Sequence, residues 1–309
     1  MYNFHTVDVF TSRKFTGNSL AIVEQADDLT DLQMQTLARE FNLPETIFIQ
    51  RPDSPANTAK VRIFLPLKEI PFAGHPTIGC AIFIAQKIYG AEGDFETEVM
   101  LEEQAGLVPV MVERKSGKIR AQLTAPVVPY PVNAPPSEGQ LVLDVKNAAA
   151  AYGLEEADVL KEPMGPSAHA GGPTFIFIPV ASREALSQAR ACEPLCTTLP
   201  QLYGGTGGYL YYIDSDSRVI HARMFAPSGG IPEDPATGSA IALLASQLNV
   251  SGLLREGSQT FEIQQGYDMG RPSQIQLEID VVGACLEAVR VSGTSVPISQ
   301  GQIVVPDNN

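Results

Sequence analysis

Apolar and polar residues alternate over several stretches of the N-terminal half, which is the pattern of strands with one buried face. This alternation predicts strands over residues 2–10, 46–50, 59–64, 107–112 and 119–123. Residues 31–41 instead have apolar side chains at helical spacing. We predict a helix there, with Asp31 helping to cap its start.

The C-terminal half also mixes strand and helix patterns. Helices are predicted over 145–152 and 183–191, and strands over 174–180, from Tyr209 onward, and in three short runs between Ile275 and Val304. Gly283 and Gly301 are the expected turns between the last strands. The chain as a whole is therefore expected to belong to the α+β class.

A proline-rich segment divides the two halves. Residues 125–139 contain five prolines, which disfavour both a helix and a central strand because proline lacks a backbone N–H. We predict an N-terminal lobe over 1–124, a linker over 125–139 and a C-terminal lobe over 140–287. Part of 288–309 is expected to return to the first lobe.

Two segments of the chain resemble each other. The residues Arg62, Phe64, Pro66, Glu69, Pro71 and Gly74 are matched, after a short insertion, by Arg223, Phe225, Pro227, Glu233, Pro235 and Gly238. Each segment has the pattern of a strand, a turn and an apolar helix. Local turn requirements alone can also place proline and glycine in this way, but the matching order favours two similar lobes.

The two apolar helices of this repeat begin with small and polar residues, namely Gly74, His75, Pro76 and Thr77 in one copy and Thr237, Gly238, Ser239 and Ala240 in the other. Glycine lets a ligand approach the backbone, and the free N–H groups and dipole of a helix start attract an anion such as a carboxylate. We therefore expect a cleft faced by both helix starts. For Thr77 and Ser239, capping of their own helix is an equally good interpretation.

Charge narrows the classes of ligand. The 309 residues carry a net charge of −14, 44% of them are hydrophobic, and Lys and Arg form no run. Nucleic acids and anionic membrane surfaces need clustered positive charge, so neither is an expected partner. A small-molecule substrate is favoured, and the chain is long enough for two domains with their own cores.

Neither a targeting segment nor a metal site is predicted. The N-terminal residues MYNFHTVDVF lack the pattern of a signal peptide, and no apolar run approaches the roughly 20 residues that span a bilayer. The cysteines, Cys80, Cys192, Cys196 and Cys285, have no metal-ligand spacing with each other or with the four histidines. We expect a cytoplasmic protein without a bound metal.

Ionisable residues near the repeat are candidates for proton transfer. His75 lies between glycine and proline before a buried helix, where a histidine adds little to packing and its ordinary pKa suits a proton carrier. Glu45 begins an apolar strand, where partial burial raises the pKa of a carboxyl toward that of a general acid or base. A structural histidine and an ordinary loop glutamate are the alternatives. Of Glu233 and Asp234, one is expected to pair with an arginine such as Arg223 and the other to face the cleft.

Four motifs in order make the chain similar to the PhzF-like isomerase family of phenazine biosynthesis: GNSLAIV, AREFNLPETIF, RIFLPLKEIPFAGHPTIG and RMFAPSGGIPEDPATGSA. The resemblance extends over nearly the whole chain. It implies the diaminopimelate epimerase-like fold, with two pseudo-symmetric lobes that each wrap a curved, mostly antiparallel sheet around a central helix. It also implies an isomerase without a cofactor, and a homodimer.

The resemblance further implies roles for single residues. Glu45 is the implied acid and base, which moves a proton within a small carboxylate-bearing substrate such as a dihydroaromatic acid. The implied catalytic set is Glu45, His75, Asp234 and Ser239. The predicted substrate contacts are Asn18, Gly74, Thr77, Thr237 and Gly238.

One departure separates this chain from the cofactor-independent epimerases of the same fold. Those enzymes use two cysteines, each placed directly before the glycine of a helix start. Ala73 and Thr237 occupy these positions here, so racemisation by two thiols is excluded in its usual form. An isomerase is the leading prediction. The alternatives are an epimerase or racemase with other bases, and a non-catalytic binding protein that keeps the fold.

Overall fold

The computed structural model describes residues 1–90, 92–133 and 141–306. Contacts divide the chain into two compact units, Met1–Thr124 with Ser292–Asn309 and Ala125–Val291. The predicted linker, 125–139, falls in the second of these units. Its residues 134–139 lie outside the described part of the chain.

The chain begins with the elements of the first unit. These are β1 (Tyr2–Val9), β2 (Asn18–Val23), α1 (Asp31–Phe41), β3 (Glu45–Gln50), β4 (Ala59–Phe64), β5 (Glu69–Ile70), α2 (Gly74–Tyr89), β6 (Phe95–Glu103), β7 (Gly106–Lys115) and β8 (Lys118–Thr124). The chain then enters the second unit.

The second unit contains the elements that follow. These are β9 (Tyr130–Val132), α3 (Val145–Ala151), β10 (Ser167–Ala170), β11 (Thr174–Pro179), α4 (Arg183–Gln188), α5 (Leu195–Gln201), β12 (Gly208–Ile213), β13 (Ile220–Ala226), β14 (Ile231–Asp234), α6 (Gly238–Val250), β15 (Gly257–Gln265) and β16 (Ser273–Val282). Strand β17 (Cys285–Gly293) leads back to the first unit, which β18 (Ser295–Ile303) completes.

In the first unit the strand order is β18, β1, β2, β3, β4, β6, β7 and β8, and β5 pairs with the end of β4. The pairs β2–β3 and β4–β6 are parallel, and the others are antiparallel. Parallel neighbours require a crossover, and α1 and α2 lie in these two crossovers. Helix α2 packs against β1, β2, β3, β6, β7 and β8, so the sheet surrounds it.

Helix α2 is the core of the first unit because its sequence is apolar on nearly every face. It is buried from Gly74 to Ile82. Gly79 allows the sheet to approach closely, since a Cβ atom at this position would lie 2.7 Å from a methyl group of Val9 and 2.8 Å from one of Leu20.

The second unit repeats this arrangement. Its strand order is β9, β10, β11, β12, β13, β15 and β16, with β14 beside the end of β13. The pairs β11–β12 and β13–β15 are parallel, and the second of these crossovers contains α6. Helix α6 is buried over most of its length and packs against β9, β10, β11 and β16. The predicted α+β class, with a sheet around a central helix in each lobe, is confirmed.

The sequence repeat corresponds to a repeated ion pair. The guanidinium of Arg62 binds both carboxylate oxygens of Glu69 at 2.8 and 2.7 Å. Arg223 binds Glu233 in the same bidentate way at 2.9 and 2.8 Å. Each pair connects a long strand to the short strand that follows it, so the duplication is structural as well as sequential.

Some boundaries differ from those expected. Helix α1 is capped by Thr30, while Asp31 lies in its first turn and binds Arg62. The last turn of the chain lies at Thr294, and Gly301 is inside β18. The predicted linker contains β9, which pairs with β10. Strand β9 begins at Tyr130, so the part of the predicted linker before it is limited to residues 125–129.

Candidate active site

Helix α2 begins without a side-chain cap. Its N-cap is Ala73, and the first helical bond runs from the Thr77 N–H to the Ala73 carbonyl at 3.3 Å. The N–H groups of Gly74 and His75 precede this bond and lie at the positive end of the helix dipole. Such a helix start attracts anions.

Asn18 and Glu45 begin two neighbouring strands. Because β2 and β3 are parallel, with Leu20 opposite Glu45, the first residues of both strands lie at one edge of the sheet. Gly17 makes the turn before Asn18 with a φ of +71°, and a Cβ atom there would lie 2.3 Å from the Val9 carbonyl oxygen. The backbone conformation that delivers Asn18 therefore requires glycine.

Glu45 and His75 are the centre of the arrangement in the first unit. Glu45 Oε2 lies 3.2 Å from His75 Nε2, and Asn18 Nδ2 lies 3.2 Å from His75 Nδ1. Glu45 is 8% exposed and His75 is 3% exposed. A carboxyl and an imidazole at this separation are within reach of proton transfer.

His75 is neutral. Burial lowers the pKa of His75 to about 3 and outweighs a hydrogen bond with the Ser19 backbone, which raises it. The ring therefore carries one proton at neutral pH. The contact of Glu45 Oε2 with His75 Nε2 at 3.2 Å is therefore not an ion pair, and its alignment is not that of a hydrogen bond.

Thr77 lies one turn into α2 and is fully buried. Its hydroxyl oxygen is 2.7 Å from the Ala73 carbonyl oxygen and 2.6 Å from Glu103 Oε1. The capping interpretation of Thr77 is wrong, because Ala73 is the N-cap and the threonine hydroxyl binds back along the helix. A contact between Thr77 and substrate stays a prediction.

Helix α6 also begins without a side-chain cap. Its N-cap is Thr237, and the Ile241 N–H donates the first helical bond to the Thr237 carbonyl at 3.0 Å. Gly238 and Ser239 thus carry N–H groups that precede this bond. The capping interpretation of Ser239 is wrong, because Thr237 is the N-cap and Ser239 lies inside the helix. Ser239 is partly exposed, and its hydroxyl forms no hydrogen bond with residues 1–90, 92–133 or 141–306.

The two adjacent acids before α6 have different partners. Glu233 is the partner of Arg223. Asp234 is 9% exposed, and its carboxylate accepts a hydrogen bond from the Thr237 hydroxyl. Gln265 donates to the Asp234 carbonyl at 2.8 Å and to the Thr237 hydroxyl at 3.0 Å. Of the two acids, Glu233 is therefore the one that pairs with the arginine.

The structure brings Asn18, Glu45 and His75 together in the first unit and binds Asp234 to Thr237 in the second. Sequence reasoning missed Glu103 and Gln265, which end β6 and β15. In each strand the two nearest alternate residues before Glu103 or Gln265 are buried, so both side chains lie on the buried face. A polar residue at such a position in the alternation could have identified them from the sequence.

Other expected features concern metals, thiols and membranes. Within the described ranges, no group of three or more His, Cys, Asp or Glu could hold a metal ion. Cys80 is buried in α2, and burial raises the pKa of its thiol. The helices that the structure describes include none with the length and apolar character of a membrane span.

A match along the chain decides the family. A family profile described as phenazine biosynthesis-like protein, PhzC-PhzF, matches residues 7–301. The chain belongs to this family. The match includes Glu45, His75 and Asp234, and it confirms the resemblance found in the sequence motifs.

Individual relatives of this PhzF-family chain are named as isomerases. An uncharacterized isomerase from Mesorhizobium japonicum is 34% identical over 98% of this chain and 99% of its own length. Trans-2,3-dihydro-3-hydroxyanthranilate isomerase from Pseudomonas aeruginosa is 33% identical, again over 98% and 99%. The solved structure of a predicted epimerase from Pseudomonas aeruginosa has a TM-score of 0.79 at 29% identity, covering 99% of this chain and 100% of that one. The chain is thus an enzyme of the PhzF-type isomerase family.

Proposed function

We propose that this enzyme is a cofactor-independent isomerase that shifts a proton within a small cyclic carboxylic acid, with Glu45 as both acid and base. The observation that carries the proposal is the buried contact of Glu45 Oε2 with His75 Nε2 at 3.2 Å. The name of the Pseudomonas aeruginosa relative, trans-2,3-dihydro-3-hydroxyanthranilate isomerase, supports a dihydroaromatic acid as the substrate class.

In the proposed reaction one carboxyl group performs both halves. The Glu45 carboxylate takes a proton from one ring carbon, and the electron pair of the broken C–H bond shifts the adjacent double bond. The resulting carboxylic acid returns the proton to the far carbon of the original double bond, where the displaced electron pair forms the new C–H bond. Neither a redox step nor a net gain of protons is needed, and one positioned carboxyl is sufficient.

His75 supports the proposed cycle as a neutral neighbour of Glu45. An uncharged ring at this place lets Glu45 serve both as the carboxylate that takes the proton and as the acid that returns it. A charged imidazolium would instead hold Glu45 as the anion and weaken it as a base. The low pKa that burial gives His75, about 3, therefore fits the proposed role.

The remaining predicted residues stay part of the proposal. Asp234 and Ser239 complete the predicted catalytic set. The predicted substrate contacts are Asn18, Gly74, Thr77, Thr237 and Gly238. Free N–H groups at a helix start suit the carboxylate of the proposed substrate.

A proton-shift assay tests the proposal. The purified protein is incubated in deuterated water with trans-2,3-dihydro-3-hydroxyanthranilate and other cyclic carboxylic acids, and products are followed by NMR. We expect a shifted double bond in the presence of wild-type protein, and a loss of turnover of about 10²-fold or more for Glu45→Gln. Glu98→Gln, the same change on an exposed face of β6, is the matched control.

The same assay separates the alternatives. Inversion at one carbon without a double-bond shift would indicate an epimerase, although Ala73 and Thr237 provide no thiol at either N-cap. A protein whose ligand binding and turnover are unaffected by Glu45→Gln would not act through this carboxyl. Turnover that requires an added cofactor would contradict the cofactor-independent mechanism.

A further inference from the structure

A buried carboxyl lies beneath the start of helix α2. Glu103, the last residue of β6, is 8% exposed. Its Oε1 atom is 2.6 Å from the Thr77 hydroxyl oxygen, which is in turn 2.7 Å from the Ala73 carbonyl oxygen. The turn after Glu103 is also fixed to the segment before α2, because the Ala105 N–H donates to the Pro71 carbonyl at 3.0 Å.

Counting hydrogens in this chain of contacts decides the protonation state of Glu103. A carbonyl oxygen can only accept, and a threonine hydroxyl has one hydrogen to donate. If Thr77 donates to Ala73, the short contact between Thr77 and Glu103 needs a hydrogen from the carboxyl. If Glu103 is ionised, Thr77 must donate to it, and the Thr77 and Ala73 oxygens then face each other at 2.7 Å without a hydrogen.

The surroundings of Glu103 also disfavour its ionised form. Near Glu103 the buried side chains of the adjacent strands are apolar: Ala59, Val61 and Ile63 on β4, and Val108 and Val110 on β7. The buried Arg114 of β7 lies opposite Phe95, at the other end of β6. Helix α2 contributes Thr77 and the buried Cys80. Burial raises the pKa of Glu103 to about 8 and outweighs the Thr77 hydrogen bond, which lowers it.

Among the charged residues of β4, β6 and β7, Lys60, Arg62, Glu102 and Arg114 bind partners other than Glu103. Lys60 binds Asp53, Arg62 binds Glu69 and Asp31, and Glu102 accepts from Asn57 and from the backbone of 53–54. The Arg114 guanidinium on β7 donates to the carbonyls of Gly90, Glu92 and Gly93. Within the described ranges, none of these cations is paired with Glu103.

The second unit supplies a natural comparison for this position. Ala59 and Leu101 are partners in the β4–β6 pairing, as Ile220 and Ile263 are in β13–β15. Two residues further along, Glu103 corresponds to Gln265. Gln265 also holds the start of its helix, through hydrogen bonds to Thr237. A neutral hydrogen-bonding side chain therefore suits this place in the fold.

We propose that Glu103 is a positioning residue that is held as a neutral carboxylic acid and donates a hydrogen bond to the Thr77 hydroxyl. This hydrogen bond fixes the start of α2 and thereby the position of His75. Ionisation of Glu103 reverses the Thr77 hydroxyl, removes its bond to Ala73 and loosens the turn that carries His75. Activity that depends on the Glu45–His75 contact then falls as the pH rises. Only this catalytic consequence rests on the proposed function; the hydrogen-bonded chain does not.

The first experiment measures stability and needs no substrate. Wild type, Glu103→Gln and the exposed control Glu98→Gln are unfolded in urea from pH 5 to pH 9.5. Because the folded-state pKa of Glu103 lies above the unfolded value, its contribution to stability is complete below about 4.5 and is lost as pH rises toward about 8. The unfolding constant of wild type should therefore rise relative to Glu103→Gln by up to about tenfold per pH unit in this window and level off above it. Parallel curves for wild type and Glu103→Gln would overturn the proposal.

A second measurement keeps the test decisive if Glu103→Gln fails to fold. Infrared spectra of wild type labelled with ¹³C-glutamate should contain a protonated carboxyl band that persists at pH 6 and disappears near pH 8. Absence of that band at pH 6 would overturn the proposal. If turnover is found in the proton-shift assay, the alkaline limb of kcat/KM should move to higher pH in Glu103→Gln and stay in place in Glu98→Gln. If the unfolding constants of wild type and Glu103→Gln diverge with pH but no turnover is found, the proposed function is refuted and the proposed role of Glu103 stands.

Discussion

The starts of helices α2 and α6 are built alike and carry different chemistry. Each follows an arginine–glutamate pair, begins at an N-cap whose side chain does not cap the helix, and has glycine as its first residue. Each is held by the last residue of the following strand, Glu103 in one unit and Gln265 in the other. The duplicated scaffold therefore does not fix the chemistry of its helix starts.

The difference lies in the ionisable groups at each helix start. The start of α2 carries the buried His75, with Glu45 against it, and its Thr77 contacts the buried carboxyl of Glu103. The start of α6 has the neutral side chains of Ser239 and Gln265 and one acid, Asp234, which accepts from the Thr237 hydroxyl. The proposed function assigns the proton transfer to Glu45 at the first helix start, with Asp234 and Ser239 of the second in support.

The largest expected effect compares Glu45→Gln with Ser239→Ala. The first removes the proposed acid and base and should lower kcat/KM by about 10²–10⁴-fold. The second removes one neutral hydrogen-bonding group and should cost about tenfold, mainly in KM. Steady-state kinetics in the proton-shift assay measures both. Equal losses in kcat would remove the proposed separation of roles.

The repeated ion pairs provide the next comparison. Arg223 is 9% exposed at its side chain and Arg62 is 22% exposed. Arg223 also donates to the carbonyls of Leu186, Ser187 and Ala189. Arg223→Met removes the partner of the partly buried Glu233 and the donor to three backbone carbonyls, and should cost about 3–5 kcal/mol in the free energy of unfolding.

Arg62→Met is the matched change in the first unit. Its carboxylate partners are more exposed, so the expected cost is about 1–2 kcal/mol. Urea unfolding at neutral pH measures both variants. If Arg62→Met cost as much as Arg223→Met, burial would not be what separates the two ion pairs.

Gln265→Glu tests whether the neutral side chain below α6 is needed. The new carboxyl would be buried near the Asp234 carboxylate, so we expect a loss of about 3 kcal/mol in stability at pH 8. The loss should be smaller at pH 5, where the new carboxyl is protonated. A pH-independent change in the urea midpoint would mean that this position tolerates an ionised carboxyl.

Thr77→Val has an expected effect as small as that of Arg62→Met. It keeps the side-chain shape but removes the hydroxyl between Glu103 and Ala73, which should cost about 1–2 kcal/mol. Thr36 is the matched control, because its hydroxyl makes the same contact with the carbonyl one turn earlier but on an exposed face of α1. Thermal unfolding of Thr36→Val should stay close to wild type. A loss as large as that of Thr77→Val would assign the effect to the helix and not to Glu103.

The fold was largely predictable because its signals are local. The strand over Ala59–Phe64 and the helix that begins at Gly74 follow from alternation and from an apolar run. The pairing of Arg223 with Glu233 was one of two expectations for the acids before α6. Each of these depends on residues close in the sequence.

The site was less predictable because its contacts are distant in the sequence. No residue near Asn18 in the sequence indicates that its amide lies against His75. The N-cap of α1 is Thr30 and not Asp31, because the Thr30 hydroxyl accepts a hydrogen bond from the Gln33 N–H. Glu103 was not among the predicted site residues. Only the crossover from β4 through α2 to β6 brings its carboxyl under Thr77.

The most direct test of proton transfer by Glu45 follows a label through its carboxyl. A substrate with deuterium on the carbon that loses its proton is converted in ordinary water, and the product of the first turnovers is examined by NMR. Because one buried carboxyl accepts and returns the same hydrogen, we predict that part of the deuterium appears on the receiving carbon. A receiving carbon that holds only solvent hydrogen from the first turnover onward would contradict this mechanism.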